Sequence, residues 1–156
     1  MRIALASDHA GFPLKQEVMA QLAAAGHETV DFGTNDESAC DLSDFAYPAA
    51  LAVGRGETAR AILVDGVGYG SAMIANRIAG VDAVVCQDPF CAALARSHSD
   101  SNVLCLGAKI IGSALAAAVV TTWMTTEFLA EEAKYVRRVQ KGRAISERHL
   151  RPLSEI

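Results

Sequence analysis

The sequence predicts an α/β fold: a five-stranded parallel sheet in a three-layer sandwich, with helices on both faces. Three observations carry this. Strand-like and helical patterns alternate about five times along the chain. The strand-like runs are uniformly apolar rather than alternating, as strands buried on both faces must be. The third run, Ala61-Ile62-Leu63-Val64, ends in Asp65 and enters a loop with glycine at positions 66, 68 and 70. That loop opens a helix through Ala72 to Asn76, giving a strand, a glycine turn and a helix start in sequence.

Each element can be justified in order. Arg2 to Ala6 is a short apolar run, followed by Ser7-Asp8-His9-Ala10-Gly11-Phe12. Pro13 suits the first turn of a helix with Val18, Leu22 and Ala25 on its apolar face and Gly26 as its stop. His27 to Phe32 reads as a second strand, and Gly33 to Ser43 as a polar loop. Asp44 can cap a helix carrying Phe45, Ala49, Leu51 and Ala52, which ends near Gly54-Arg55-Gly56. After the glycine loop and its helix, Val81 to Cys86 is a fourth strand. Asp88 and Pro89 then start a helix with Phe90, Ala93 and Leu94 inward. Asn102 to Gly107 is the fifth strand, and Gly112-Ser113 opens a helix running to about Thr126. Glu131 to Lys141 is a charged helix.

The 156 residues suit one domain, here taken as 1–140, with 141–156 as a C-terminal helical or extended arm. A net charge of −4 and the lack of a basic run speak against nucleic acid. No apolar run reaches membrane-spanning length, and no secretory signal precedes the first strand. Cys40, Cys86, Cys91 and Cys105 show no CxxC spacing, so no zinc site or redox pair is read. The chain is therefore expected in the cytoplasm.

In a parallel sheet of this kind, ligands bind beyond the carboxyl ends of the strands. Asp8-His9, Asp65 with its glycine loop, and the segment before Lys109 all fall there. His98 is different: it ends the helix before the fifth strand and must enter the site from elsewhere. Taken alone, these residues have plainer readings too. Asp65 reads equally as a strand-end acid bonding its own loop. Asp8-His9 suits a turn entering a helix, and Ser71 a helix cap. His98 suits a helix end, and Lys134, Arg137 and Arg138 an exposed face.

Several motifs occur together with intact spacing: Ser7-Asp8-His9-Ala10-Gly11-Phe12, Asp31-Phe32-Gly33-Thr34, the glycine loop, and Asn102-Val103-Leu104-Cys105-Leu106-Gly107-Ala108. Across residues 1 to 140 the chain resembles the family of ribose-5-phosphate isomerase B and the galactose-6-phosphate isomerase subunits. The resemblance implies a Rossmann-like subunit whose active sites draw on two chains, in a homodimer or tetramer. It implies aldose–ketose isomerisation of a sugar phosphate with no metal or organic cofactor: ring opening, then proton transfer through an enediolate. Carried over, Asp8 and His9 line the sugar and phosphate region. The N–H groups of Gly66, Val67, Gly68 and Gly70 cradle the enediolate oxygen. His98 opens the ring, with Ser99 beside it. Lys109 stands at a phosphate-binding arginine position. The family's Arg-His-x-Arg-Arg-Val reads here Lys134-Tyr135-Val136-Arg137-Arg138-Val139, which makes Arg138 the better-matched phosphate ligand and Lys134 a softer substitute for an arginine.

Two departures matter. Isomerase B enzymes commonly carry a cysteine base where this chain has Asp65; another branch places a glutamate where this chain has Ser71. Asp65 is then the expected base. The same stretch also resembles a galactose-6-phosphate isomerase subunit that works only with a cysteine-bearing partner, so a hetero-oligomer is the alternative. Asp41-Leu42-Ser43 and Ser99-Asp100 differ from the usual Asp-Tyr-Pro and Asn-Asp, which points to an altered substrate. A dinucleotide-binding domain is disfavoured, because its glycine fingerprint should follow the first strand.

Overall fold

The structure, a computed structural model, describes residues 1–155. Its elements are β1 (Arg2–Ser7), α1 (Phe12–Ala24), β2 (Glu28–Asp31), α2 (Ser43–Gly54), β3 (Arg60–Asp65) and α3 (Tyr69–Ala75). Then come β4 (Ala83–Val85), α4 (Pro89–Ser97), β5 (Val103–Gly107), α5 (Ser113–Thr125) and α6 (Ala133–His149). A short 3₁₀ turn, Leu153–Glu155, follows.

The strands pair in parallel in the order β2-β1-β3-β5-β4. Because β3 is wholly buried, its alternate residues feed two cores. Ile62 and Val64 pack with Leu14, Val18 and Leu22 of α1 and Ala116, Val119 and Trp123 of α5. Ala61 and Leu63 pack with Ala46, Ala49 and Ala50 of α2 and Ala75 of α3. Each fully buried Leu, Ile or Val side chain contributes about 1.5–3 kcal/mol, so the sheet is the stable frame of the molecule. The chain leaves β1 toward β2 on one side and later returns to β3 on the other. The carboxyl ends of β1 and β3 therefore open onto a topological switch point.

Several local expectations need correction. Asp88 does cap α4, accepting the Cys91 N–H at 2.8 Å. Yet Phe90 is 72% exposed, and the buried face of α4 is Ala92 and Arg96. Arg96 replaces an apolar residue there because its guanidinium donates to Asp100 at 3.1 Å and to the Ser101 carbonyl, beside the Trp123 ring. Ala25 is exposed. Asp44 sits in the first turn of α2, where Leu42 occupies the cap position without a side-chain bond. Ser71 lies inside α3; Gly68, with φ of 84°, precedes the helix in a conformation that favours glycine. Finally, α6 runs through position 141 to His149 without a break.

Lys15 is fully buried on α1, where sequence periodicity gave no reason to place it. Its ammonium donates to Asp31 Oδ1 and to the Thr34 carbonyl, both at 2.6 Å. This ties the end of β2 to α1 and fixes where the β2–α2 loop departs.

Candidate functional site

The carboxyl edge of the sheet carries Asp8, His9, Asp65, the glycine loop and Lys109. Asp8 Oδ1 accepts the Gly11 N–H at 2.9 Å, which turns the chain into α1. Gly11 is required here, since a Cβ would lie 2.2 Å from the Val64 carbonyl oxygen. That close crossing holds the β1 and β3 ends together. The half-buried His9 reaches the β2–α2 loop, where the Cys40 N–H donates to its Nδ1 at 3.4 Å. With Nδ1 so engaged as acceptor, Nε2 carries the proton and is the donor left for a ligand.

Asp65 is buried at the end of β3, and its carboxylate is saturated. Oδ1 accepts the N–H groups of Val67 at 2.8 Å and Gly68 at 2.5 Å. Oδ2 accepts the Ser71 N–H at 2.9 Å and the Ser71 hydroxyl at 2.6 Å. A carboxylate offers about four lone-pair positions, and all four are taken. The Val67 and Gly68 N–H groups expected to cradle an enediolate oxygen therefore point back at Asp65. What the loop presents outward includes the half-exposed Tyr69 and Val67. The Lys109 N–H bonds the Gly66 carbonyl at 3.0 Å, and its side chain passes over Gly66. This sets its ammonium beside the loop, without a partner among the described residues.

His98, Ser99 and Arg138 occur elsewhere. They line a cleft of about 430 Å³ together with Asp82 and Tyr135. The cleft lies at the amino edge of the sheet, for His98 ends α4 five residues before β5 begins. Asp82 immediately precedes β4 there. Lys134 is exposed beside it and pairs with Glu132 at 3.6 Å. Tyr135, not singled out from sequence, stacks on His98 with ring centroids 4.1 Å apart. The only sequence signal for it was its position inside the basic motif.

These two groups cannot meet within one chain. Along the paired strands, Ala61 and Val103 mark the amino level, and Asp65 and Gly107 the carboxyl level. Four residue steps at about 3.3 Å separate the levels by roughly 13 Å, and His98 lies below the lower one.

Other chemistry is limited. Burial pushes the Cys86 thiol up to about 12 and the Cys105 thiol well above its ordinary value. The Cys91 thiol is raised by donating to Asp88. None of these three is set up as a thiolate. Among the described residues, no group of three or more His, Cys, Asp or Glu could hold a metal, and no helix is long and apolar enough to cross a membrane.

Comparison with known proteins shows the family. The model of the ribose/galactose isomerase family matches residues 3–141. Ribose-5-phosphate isomerase B of Escherichia coli is 40% identical over 147 residues, covering 94% of this chain and 97% of that protein. The 4-deoxy-4-sulfo-D-erythrose isomerase of a Clostridium species is 37% identical, covering 91% of this chain and 90% of that protein. The solved ribose-5-phosphate isomerase B of Clostridium thermocellum superposes with a TM-score of 0.91 at 37% identity, covering 96% and 99% of the two chains. The family model over residues 3–141, the superposed fold and matches over nearly the full length of both partners lead to one conclusion: this chain belongs to the ribose/galactose isomerase family of sugar-phosphate isomerases.

Proposed function

We propose that this chain interconverts the aldose and ketose forms of a small phosphorylated sugar, at sites completed between two copies. The observation that carries this is the placement of the two residue groups on opposite edges of one sheet. A closed pair of copies can set the carboxyl edge of each against the amino edge of the other, which yields two complete sites. Val67, Tyr69 and Met73 around the loop, Phe90 at the start of α4 and Ile110 after β5 are exposed apolar side chains near the carboxyl edge. They give such a partner an apolar surface to cover.

In this arrangement Asp8, His9, Lys109 and the Gly66–Ser71 loop of one copy face His98, Ser99, Lys134 and Arg138 of the other. Arg138 offers phosphate a forked pair of donors; Lys109 and Lys134 offer point charges. His98 carries the proton needed to open the sugar ring. Asp65 stands at the base position, and taking a carbon-bound proton requires Ser71 Oγ to release Oδ2 first. The relatives act on sugars of different length, and residues 41–43 and 99 differ from the usual pattern. Substrate length is therefore tuned by these loop positions.

The saturated carboxylate favours one second reading, a subunit that holds sugar phosphate while a different chain supplies the base. Assay of the purified chain against four-, five- and six-carbon aldose and ketose phosphates separates the two. Turnover of any of them establishes a self-sufficient enzyme and names its substrate. Binding without turnover establishes the partner-dependent subunit.

A further inference from the structure

His98 does not stand alone at the end of α4. Tyr135, in the first turn of α6, lies almost parallel to it, with the ring planes at 13°. Two cations flank the same phenol ring: Lys134 Nζ is 4.8 Å and Arg138 Cζ 5.7 Å from its centroid. Burial does not explain this grouping, because α6 contains no buried residue. Specific bonds place the helix instead. The segment before it returns to α4 through the Leu129 N–H, which donates to the Ser97 carbonyl at 3.0 Å. Farther along, Arg143 donates to Asp82 at 3.3 Å and to Asp100 at 2.9 Å.

We propose that Tyr135 is a positioning residue for His98, an inference that rests on the isomerase reading above. Its ring holds the imidazole in one plane, so the proton-bearing nitrogen meets the ring oxygen of a cyclic sugar phosphate. A phenol face accommodates an imidazole both neutral and charged, so the stack survives the proton's transfer. The same ring orders Lys134 and Arg138, so phosphate capture and ring opening share one scaffold. The phenol oxygen is not needed for this role; the aromatic face is.

Two variants separate the ring from its bulk. Tyr135→Phe keeps the face, and Tyr135→Leu removes it. The first readout is the proton NMR spectrum of His98, assigned with His98→Asn. Its ring protons are expected to be shifted upfield in the parent and in Tyr135→Phe, and to lose that shift in Tyr135→Leu. The second is kinetic and uses two substrates, ribose 5-phosphate and erythrose 4-phosphate. The latter cannot close a furanose ring, because phosphate occupies the oxygen that would close it. Tyr135→Leu is expected to lower kcat about tenfold on the pentose while raising KM less, and to change kcat on the tetrose by no more than about twofold. Tyr135→Phe restores the pentose rate. Equal losses on both substrates, failure of Tyr135→Phe to rescue, or no upfield shift in the parent overturns the proposal. Where the parent turns over neither substrate, the NMR comparison decides the stack on its own, and silence across the whole four- to six-carbon panel counts against the isomerase reading.

Discussion

Ser71 gives both of its hydrogen-bond donors to a single oxygen of Asp65, its N–H at 2.9 Å and its hydroxyl at 2.6 Å. With Val67 and Gly68 on the other oxygen, the carboxylate is the internal anion around which the glycine loop is wound. Asp65→Asn would turn an amide donor toward groups that are donors themselves. Its expected cost is about 2–3 kcal/mol of stability, together with a loss of activity. Urea unfolding monitored alongside turnover checks this. Full stability with turnover reduced by orders of magnitude would instead identify Asp65 as the proton-transfer base.

Arg138 and Lys134 approach the cleft from successive turns of α6 but are not equivalent. Both are exposed, but Arg138 lines the cleft, whereas Lys134 is paired with Glu132. Arg138→Ala is expected to raise KM for the sugar phosphate by roughly tenfold to a hundredfold, the worth of a charge-assisted bond. Lys134→Ala should raise it only a few-fold, since an exposed pair contributes little. Steady-state kinetics on the two variants gives the order directly.

Lys15 anchors the loop that reaches His9. Lys15→Met takes the ammonium from the Thr34 carbonyl and from the Asp31 carboxylate, which keeps the Gly33 N–H, at an expected cost of about 3 kcal/mol. Thermal unfolding checks the stability, and a loss of sugar-phosphate affinity would show the loop moving with it.

The thiols make a pH prediction. Folding raises Cys86 from 9.0 to about 12, so the folded chain keeps a proton that the unfolded chain releases. Its contribution to stability is full below about pH 9 and declines as pH rises toward 12. Denaturation midpoints across that range should fall less steeply for Cys86→Ala. In the native protein a thiol reagent should modify Cys91, which is exposed, and spare Cys86 and Cys105 until unfolding.

The central strands were legible in the sequence because buried parallel strands must be apolar throughout, the edge strand β2 because its residues alternate, and the helices because Gly and Pro punctuate them. The α4 cap at Asp88-Pro89 followed from the same rules. Phe90 was misplaced because periodicity assumes that apolar residues face this chain's own core. A surface that a second copy would cover breaks that assumption, and Arg96 took an inward position through bonds no pattern encodes. The length of α6 was hidden for a related reason. A helix with no fully buried residue shows no sustained apolar stripe, and distant Asp82 and Asp100 hold it through Arg143. For the site, the residue types were legible but not the roles. The sequence left Asp65 as either loop acid or site group, and only the positions of four donors show how its lone pairs are spent.

The most direct test of the two-copy site is subunit complementation. His9→Ala removes a residue from the carboxyl edge and His98→Ala one from the amino edge, so each variant alone should be inactive on the substrate identified from the panel. After subunit exchange in an equal mixture, half of the pairs are mixed and each mixed pair holds one intact site. Activity should return to roughly a quarter of the parent value. A mixture as inactive as its components, although exchange is shown by mass, would contradict a site built from opposite edges of two copies.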